Sequence, residues 1–288
     1  MIRTRLVSAV VVGAALVPLL GAGGPDPGID VAARRLVVDR AEAADDALAE
    51  LERAVAPGLD AGRHGAALVV SGQQEPGAEL RLAASLLADA AVTEPDARGA
   101  VRSLAGALRA VGASSVPTLD LDPGALDSIA AQLGRTADAA DAFADMRRRA
   151  EGLVDTMEEA LVALEQGDVT RARLRVGSAR ADHAALAAWD VDLSTLPVWM
   201  ETTGEMIAAV DDLVEATAVG DESAALAAAD AFLALAEEAA PADRALRIAI
   251  GEGGAAVTAA PLARLADLLR EVAQTRGEVA SILQTVRR

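Results

Sequence analysis

The side chains with the widest chemical repertoire are scarce in this chain. His64 and His183 are its two histidines, and it has no cysteine. A helical di-iron site needs a Glu three residues before the His on the same face. Ala61 and Arg180 occupy those positions instead. Asp60 and His64 lie four apart, close enough on a helix to share an ion, but one such pair is only half of a closed four-ligand site. Two Asp-x-Asp segments, Asp120-Leu121-Asp122 and Asp190-Val191-Asp192, offer the carboxylates that calcium takes. Neither completes a calcium loop, because Ala131 stands at the twelfth position from Asp120, where a bidentate Glu belongs. Helix capping accounts for Asp122 without an ion. No metal and no cofactor is expected.

The nucleophiles are equally restricted. All 26 basic residues are Arg, so a Schiff-base Lys and the Lys of a phosphate-binding P-loop are both excluded. No Gly-x-Ser-x-Gly elbow and no Ser-x-x-Lys motif occurs. Gly251-Glu252-Gly253-Gly254 follows no strand pattern, so a dinucleotide loop fails on context. A His-dependent triad would have to use one of two histidines that sit in Ala-rich helical sequence. Carboxylate pairs are common on any acidic helical surface and identify no acid–base couple. The expectation is a protein that is not an enzyme.

One segment remains as a candidate site. Ala188 to Glu201 (AWDVDLSTLPVWME) holds both tryptophans of a chain that otherwise has two Phe and no Tyr. A long connection between helices is where binding residues gather. Trp189, Asp190, Asp192, Trp199 and Met200 are therefore the candidate ligand-binding residues, for a small apolar ligand or a cation. The competing reading is that the two indoles plug the end of an Ala-rich bundle.

The elements that must carry this loop are helical. Hydrophobic residues make up 52% of the chain, and their bulk is Ala, Leu and Val. Ala and Leu lead the helix propensity scale, whereas sheets draw on aromatic and β-branched residues. The fold class predicted is all-α: an elongated up-and-down bundle of helices and helical hairpins with coiled-coil-like heptad packing. Val37, Ala41, Ala44, Leu48, Leu51 and Val55 alternate by four and three along the first helix. Pro57-Gly58 is expected to kink or end it, with a shorter helix over 59–70 and two more over about 77–92 and 96–111. Asp122 and Pro123 predict the start of a long helix to Gln166, with Phe143, Met146, Ala150, Leu153, Met157, Ala160 and Leu164 as its stripe. Gly167-Asp168 and Gly220-Asp221 each pair a C-terminal Gly with an N-cap Asp, which suggests a repeated hairpin. A last stripe, Leu262, Leu265, Leu269, Val272, Val279, Ile282 and Val286, predicts a C-terminal helix after a loop at Gly251–Gly254.

At the N-terminus, Met1 to Arg5 carries two Arg and no acid, Leu6 to Ala22 is uninterruptedly apolar, and small residues and turn formers follow. That is the order of a secretory signal. The reading is a signal peptide over residues 1–24 cleaved after Gly24, with an uncleaved anchor as the alternative. Cleavage would change the net charge from −18 to −20, since the segment holds Arg3 and Arg5 and no acid. The expected divisions are an N-terminal helical subdomain over 25–112, a linker over 113–123 and a C-terminal bundle with the hairpin repeat over 124–288. A net charge of −18 disfavours nucleic acid and anionic lipid. Arg147-Arg148-Arg149 is interleaved with Asp141, Asp145 and Glu151 at helical spacing and reads as a solvated face. The functional expectation is an extracytoplasmic protein-interaction or structural module with a protein partner or self-association. It would meet a membrane only through an uncleaved N-terminal segment. The alternative is a binding protein for a small apolar ligand or cation at the Trp189–Trp199 loop.

Overall fold

The computed structural model describes residues 27–73, 75–113, 115–189 and 193–287. It is an all-α helical bundle. The helices are α1 (Pro27–Ser71), α2 (Pro76–Ala90), α3 (Glu94–Ala110), α4 (Ala125–Glu165), α5 (Val169–Ala187), α6 (Leu196–Val219) and α7 (Glu222–Arg287), with one 3-10 turn at Ala91–Thr93. No strand occurs among the described residues, and no helix among them is long and apolar enough to cross a membrane. The signal expected over residues 1–24 lies outside the described residues.

The apolar stripes make the core. All six positions from Val37 to Val55 are at most 2% exposed. In α4 the stripe from Phe143 to Ala160 is buried, whereas Leu164 is half-buried and its neighbour Ala163 is buried. Near the C-terminus Leu265, Val272, Val279, Ile282 and Val286 are buried, and Leu268 is buried where Leu269 was expected. Hydrophobic burial of these small and branched side chains is what selects the helices' inward faces.

Three local expectations are corrected. Pro57 neither ends nor divides α1, which continues to Ser71. Proline removes one backbone hydrogen bond, but Leu51, Val55 and Leu59 are buried on both sides of it, and that packing holds the helix through the gap. The Gly251–Gly254 stretch is no loop: α7 runs 66 residues straight through it, with Pro241 and Pro261 inside. Here glycine serves close approach. A Cβ on Gly253 would stand 2.8 Å from the Phe143 ring, and one on Gly254 would collide with Val69. Finally, α4 starts at Ala125, three residues after the expected Asp122 cap. The carboxylate of Glu94 in α3 instead accepts the backbone N–H of Gly124 at 3.1 Å and of Leu126 at 3.4 Å.

The two Gly-Asp junctions form as expected. Gly167 and Gly220 adopt the left-handed conformation at φ 76° and 73°. The Asp168 carboxylate then accepts the Arg171 N–H at 2.9 Å, and Asp221 accepts that of Ala224 at 3.0 Å. Each satisfies one of the donors that a helix start leaves open.

The chain forms two compact units, interleaved in sequence. Of the described residues, the first comprises those up to His64 and those within 78–136 and 259–287, among them the described part of 113–123. Within it Arg276 reaches Asp45 at 3.0 Å and Glu52 at 2.9 Å, tying α7 to α1. Those hydrogen bonds, donated to Asp45 first and Glu52 second, raise the pKa of the Arg276 guanidinium above its ordinary range. The second unit comprises 65–77 and 137–258. In it α5 packs along α6, and the Arg173 guanidinium forks onto both Glu215 oxygens at 3.0 and 2.9 Å.

Candidate functional site

In the second unit, α6 opens with Pro197 in its first turn, where a missing N–H costs nothing. Two residues later Trp199 is 1% exposed, the largest fully buried side chain of the described residues. A buried indole N–H needs an acceptor, and Nε1 donates to Asp243 Oδ1 on α7 at 3.3 Å. Asp243 Oδ2 in turn accepts from Arg247 Nε at 2.7 Å. Arg247 continues to Glu151 on α4 at 3.5 Å, and Glu151 accepts from Arg147 Nε at 3.0 Å. Arg147 also donates to the Val70 carbonyl. The indole is thus the apolar end of a polar chain that crosses the unit. One turn on, the buried Thr203 hydroxyl donates to the Trp199 carbonyl at 2.7 Å.

Trp199 forms part of the wall of a groove of about 370 Å³. Val154, Met157 and Leu161 of α4, Met206 of α6, and Phe232, Ala236, Ala239 and Ala240 of α7 supply apolar lining. Thr203, Glu158 and Asp243 are the polar members, so every charged group of the lining is acidic. Asp243 is neutralised by Arg247, whereas Glu158 has no ion-pair partner among the described residues. Ligand sites characteristically combine an apolar lining with a few fixed polar groups. This groove can therefore hold an apolar body with a neutral or positive head.

The residues expected from the Trp-bearing segment separate. Trp199 lies in the groove wall. Met200, the next residue in α6, is half-buried, and its carbonyl accepts from His183 Nε2 at 2.8 Å. Trp189 is half-buried just past the end of α5, where its N–H meets the Leu186 carbonyl at 3.2 Å, and it is not in the groove lining. Asp190 and Asp192 lie outside the described residues. His64 and Asp60 are exposed, and no cluster of three His, Asp or Glu among the described residues is placed to hold a metal ion. Sequence reasoning missed Phe232, which shares the groove with Trp199 from 33 residues away. Its rarity was the available signal, since it is one of two Phe in the chain.

The α7 segment that walls the groove has an unusual surface. None of its residues 222–238 is buried, although twelve of those 17 are Ala, Leu or Phe. Leu226 is 67% and Leu233 61% exposed. Charge is one-sided here: residues 181–243 hold 14 of the 44 acids and none of the 26 Arg, so they carry −14 of the net −18. Comparison with family models, with curated proteins and with solved structures returns no match to this chain.

Proposed function

We propose that this is a non-catalytic binding protein whose second unit docks a basic amphipathic helix of a partner protein. The observation that supports the reading is the α7 segment 222–238. An apolar helical stripe gains stability by being covered, and exposed apolar surface rimmed by one sign of charge suits a partner with the complementary pattern. Leu226 and Leu233, one heptad apart, provide the anchors. Asp221, Glu222, Asp230, Glu237 and Glu238 provide the acidic rim. No Arg of this stretch would repel a basic partner.

A synthetic Leu/Lys amphipathic peptide tests this by fluorescence anisotropy. Leu226→Ser with Leu233→Ser should weaken binding by about tenfold or more, because two apolar anchors are lost at constant charge. Neutralising exposed acids elsewhere, as in Asp39→Asn/Asp46→Asn/Glu50→Gln, should leave it within roughly twofold. Equal losses in both variants would reduce the interaction to bulk charge and sink the proposal. So would light scattering that shows the leucines instead holding two copies of the chain together.

The groove's volume favours a second reading, a small apolar cation bound against Trp199, since about 370 Å³ falls in the size range of small-molecule sites. Tetraphenylphosphonium and tetraphenylborate have matched shapes and opposite charges. Saturable quenching of Trp199 by the cation alone, abolished by filling the groove with Ala236→Leu, is the expected result. Equal quenching by both ions would discard it.

Export through residues 1–24 belongs to the same proposal. N-terminal sequencing of the protein recovered from the outside of the producing cell should begin at Pro25. Recovery of the whole chain in the cytosol would remove this part.

A further inference from the structure

The first unit holds a second cavity of opposite character, and from it we infer a binding site for a small oxyanion, a carboxylate or phosphate, between α3 and the irregular segment that precedes α4. The cavity measures about 220 Å³. Arg98, Arg102 and Arg109 line one wall, at positions that share a stripe of α3 because they are four and seven residues apart. Thr118, Leu119 and Asp120 line the other.

Three observations carry the inference. Arg98 Nε is buried and meets no hydrogen-bond acceptor. A buried donor without a partner is rare and disfavoured in folded proteins. The carboxylate paired with Arg98 meets a different nitrogen: Glu94 lies 3.8 Å from Arg98 Nη1 and is engaged with the N–H groups of Gly124 and Leu126. Second, Arg102 and Arg109 form no ion pair among the described residues, in a chain where acids outnumber Arg by 44 to 26. Third, the opposing wall is fixed before any ligand arrives. The buried Thr275 hydroxyl donates to the Thr118 carbonyl at 3.1 Å, and the Asp120 N–H donates to Glu271 at 2.5 Å.

Guanidinium forks match the geometry of carboxylate and phosphate oxygens, and an anion placed among them forms charge-assisted hydrogen bonds. Arg98 brings a third guanidinium to the inner wall, and Arg102 and Arg109 close on the anion from the exposed side. The net charge of −18 repels anions at long range, so recognition here depends on direct contact.

Calorimetry and thermal unfolding of the full chain with sodium phosphate, sodium benzoate and ionic-strength-matched sodium chloride test the site. Saturable binding of phosphate or benzoate, with a rise in melting temperature that chloride does not reproduce, is the expected result; the ion that binds assigns the head group. Arg102→Gln/Arg109→Gln changes exposed side chains only and should fold as the parent does by circular dichroism. It should lose about tenfold or more in affinity. Binding that survives in that variant, or a melting temperature that follows ionic strength alone, overturns the inference.

Discussion

The Glu94 carboxylate caps a helix that is not its own: it accepts the Gly124 N–H at 3.1 Å and, through its other oxygen, the Leu126 N–H at 3.4 Å. Glu94 is 2% exposed, the one buried acid among the described residues. Helix starts leave open N–H groups and carry a partial positive charge, so a carboxylate there is stabilising twice over. Glu94→Ala should lower stability by about 1–3 kcal/mol, because the buried Leu126 N–H and the part-buried Gly124 N–H lose a charged acceptor. Glu94→Gln, which keeps one acceptor, should fall between that variant and the parent. Urea unfolding checks both; equal stability of all three proteins would show that the contact contributes nothing.

Glycine substitutions along the helices should divide by what a methyl group meets. Gly177 in α5 has open space around it, and Gly177→Ala should stabilise by about 0.5–1 kcal/mol through helix propensity. Gly254→Ala drives a methyl into Val69, and the overpacking should cost about 1–3 kcal/mol. Thermal unfolding of the two variants should therefore move in opposite directions.

The ion pairs at Arg276 should matter far less than the stripe beneath them. Arg276, Asp45 and Glu52 are each a third or more exposed, and pairs of that kind contribute about 0–1 kcal/mol. Arg276→Met should lose no more than that, with the difference shrinking in high salt. Leu48→Ala, at a fully buried site, should lose about 2–5 kcal/mol. Chemical denaturation at two salt concentrations separates the two effects.

The two indoles should report different surroundings. Trp199 is 1% exposed, whereas Trp189 is half-buried at the end of α5. Trp189→Phe should leave blue-shifted emission that acrylamide quenches poorly. Trp199→Phe should leave red-shifted, easily quenched emission. The reverse order would contradict the burial of Trp199 at the groove.

Features set by neighbouring residues were legible before any coordinates. The Gly167-Asp168 and Gly220-Asp221 junctions satisfy each helix end with groups a few positions away, and the Val37–Val55 stripe needs only the helical period to place it. Pro57 and Gly251–Gly254 misled because their local preference is to break a helix. Distant partners reversed that preference: the buried side chains flanking Pro57, and Phe143 and Val69 against Gly253 and Gly254. The α4 start misled for the same reason, since Glu94 lies 30 residues before the Gly124 N–H that it caps.

The candidate site divides along the same line. Its tryptophans stood out by rarity, but rarity does not say which indole turns inward. That was decided by tertiary packing, which bonds Trp199 to Asp243 in a groove also lined by Met157 and Phe232 and leaves Trp189 outside it. What the amino-acid order determined by itself is the all-helical character, the acidic balance and the absence of thiol and amine chemistry. These follow from composition and from periods of three to four residues. Only the tertiary structure decided where an acidic apolar groove and an arginine-lined cavity form. The groove is assembled from side chains of α4, α6 and α7 that lie far apart in the chain, and the cavity needs residues 117–120 to stand opposite the arginine stripe of α3, which no helical period sets.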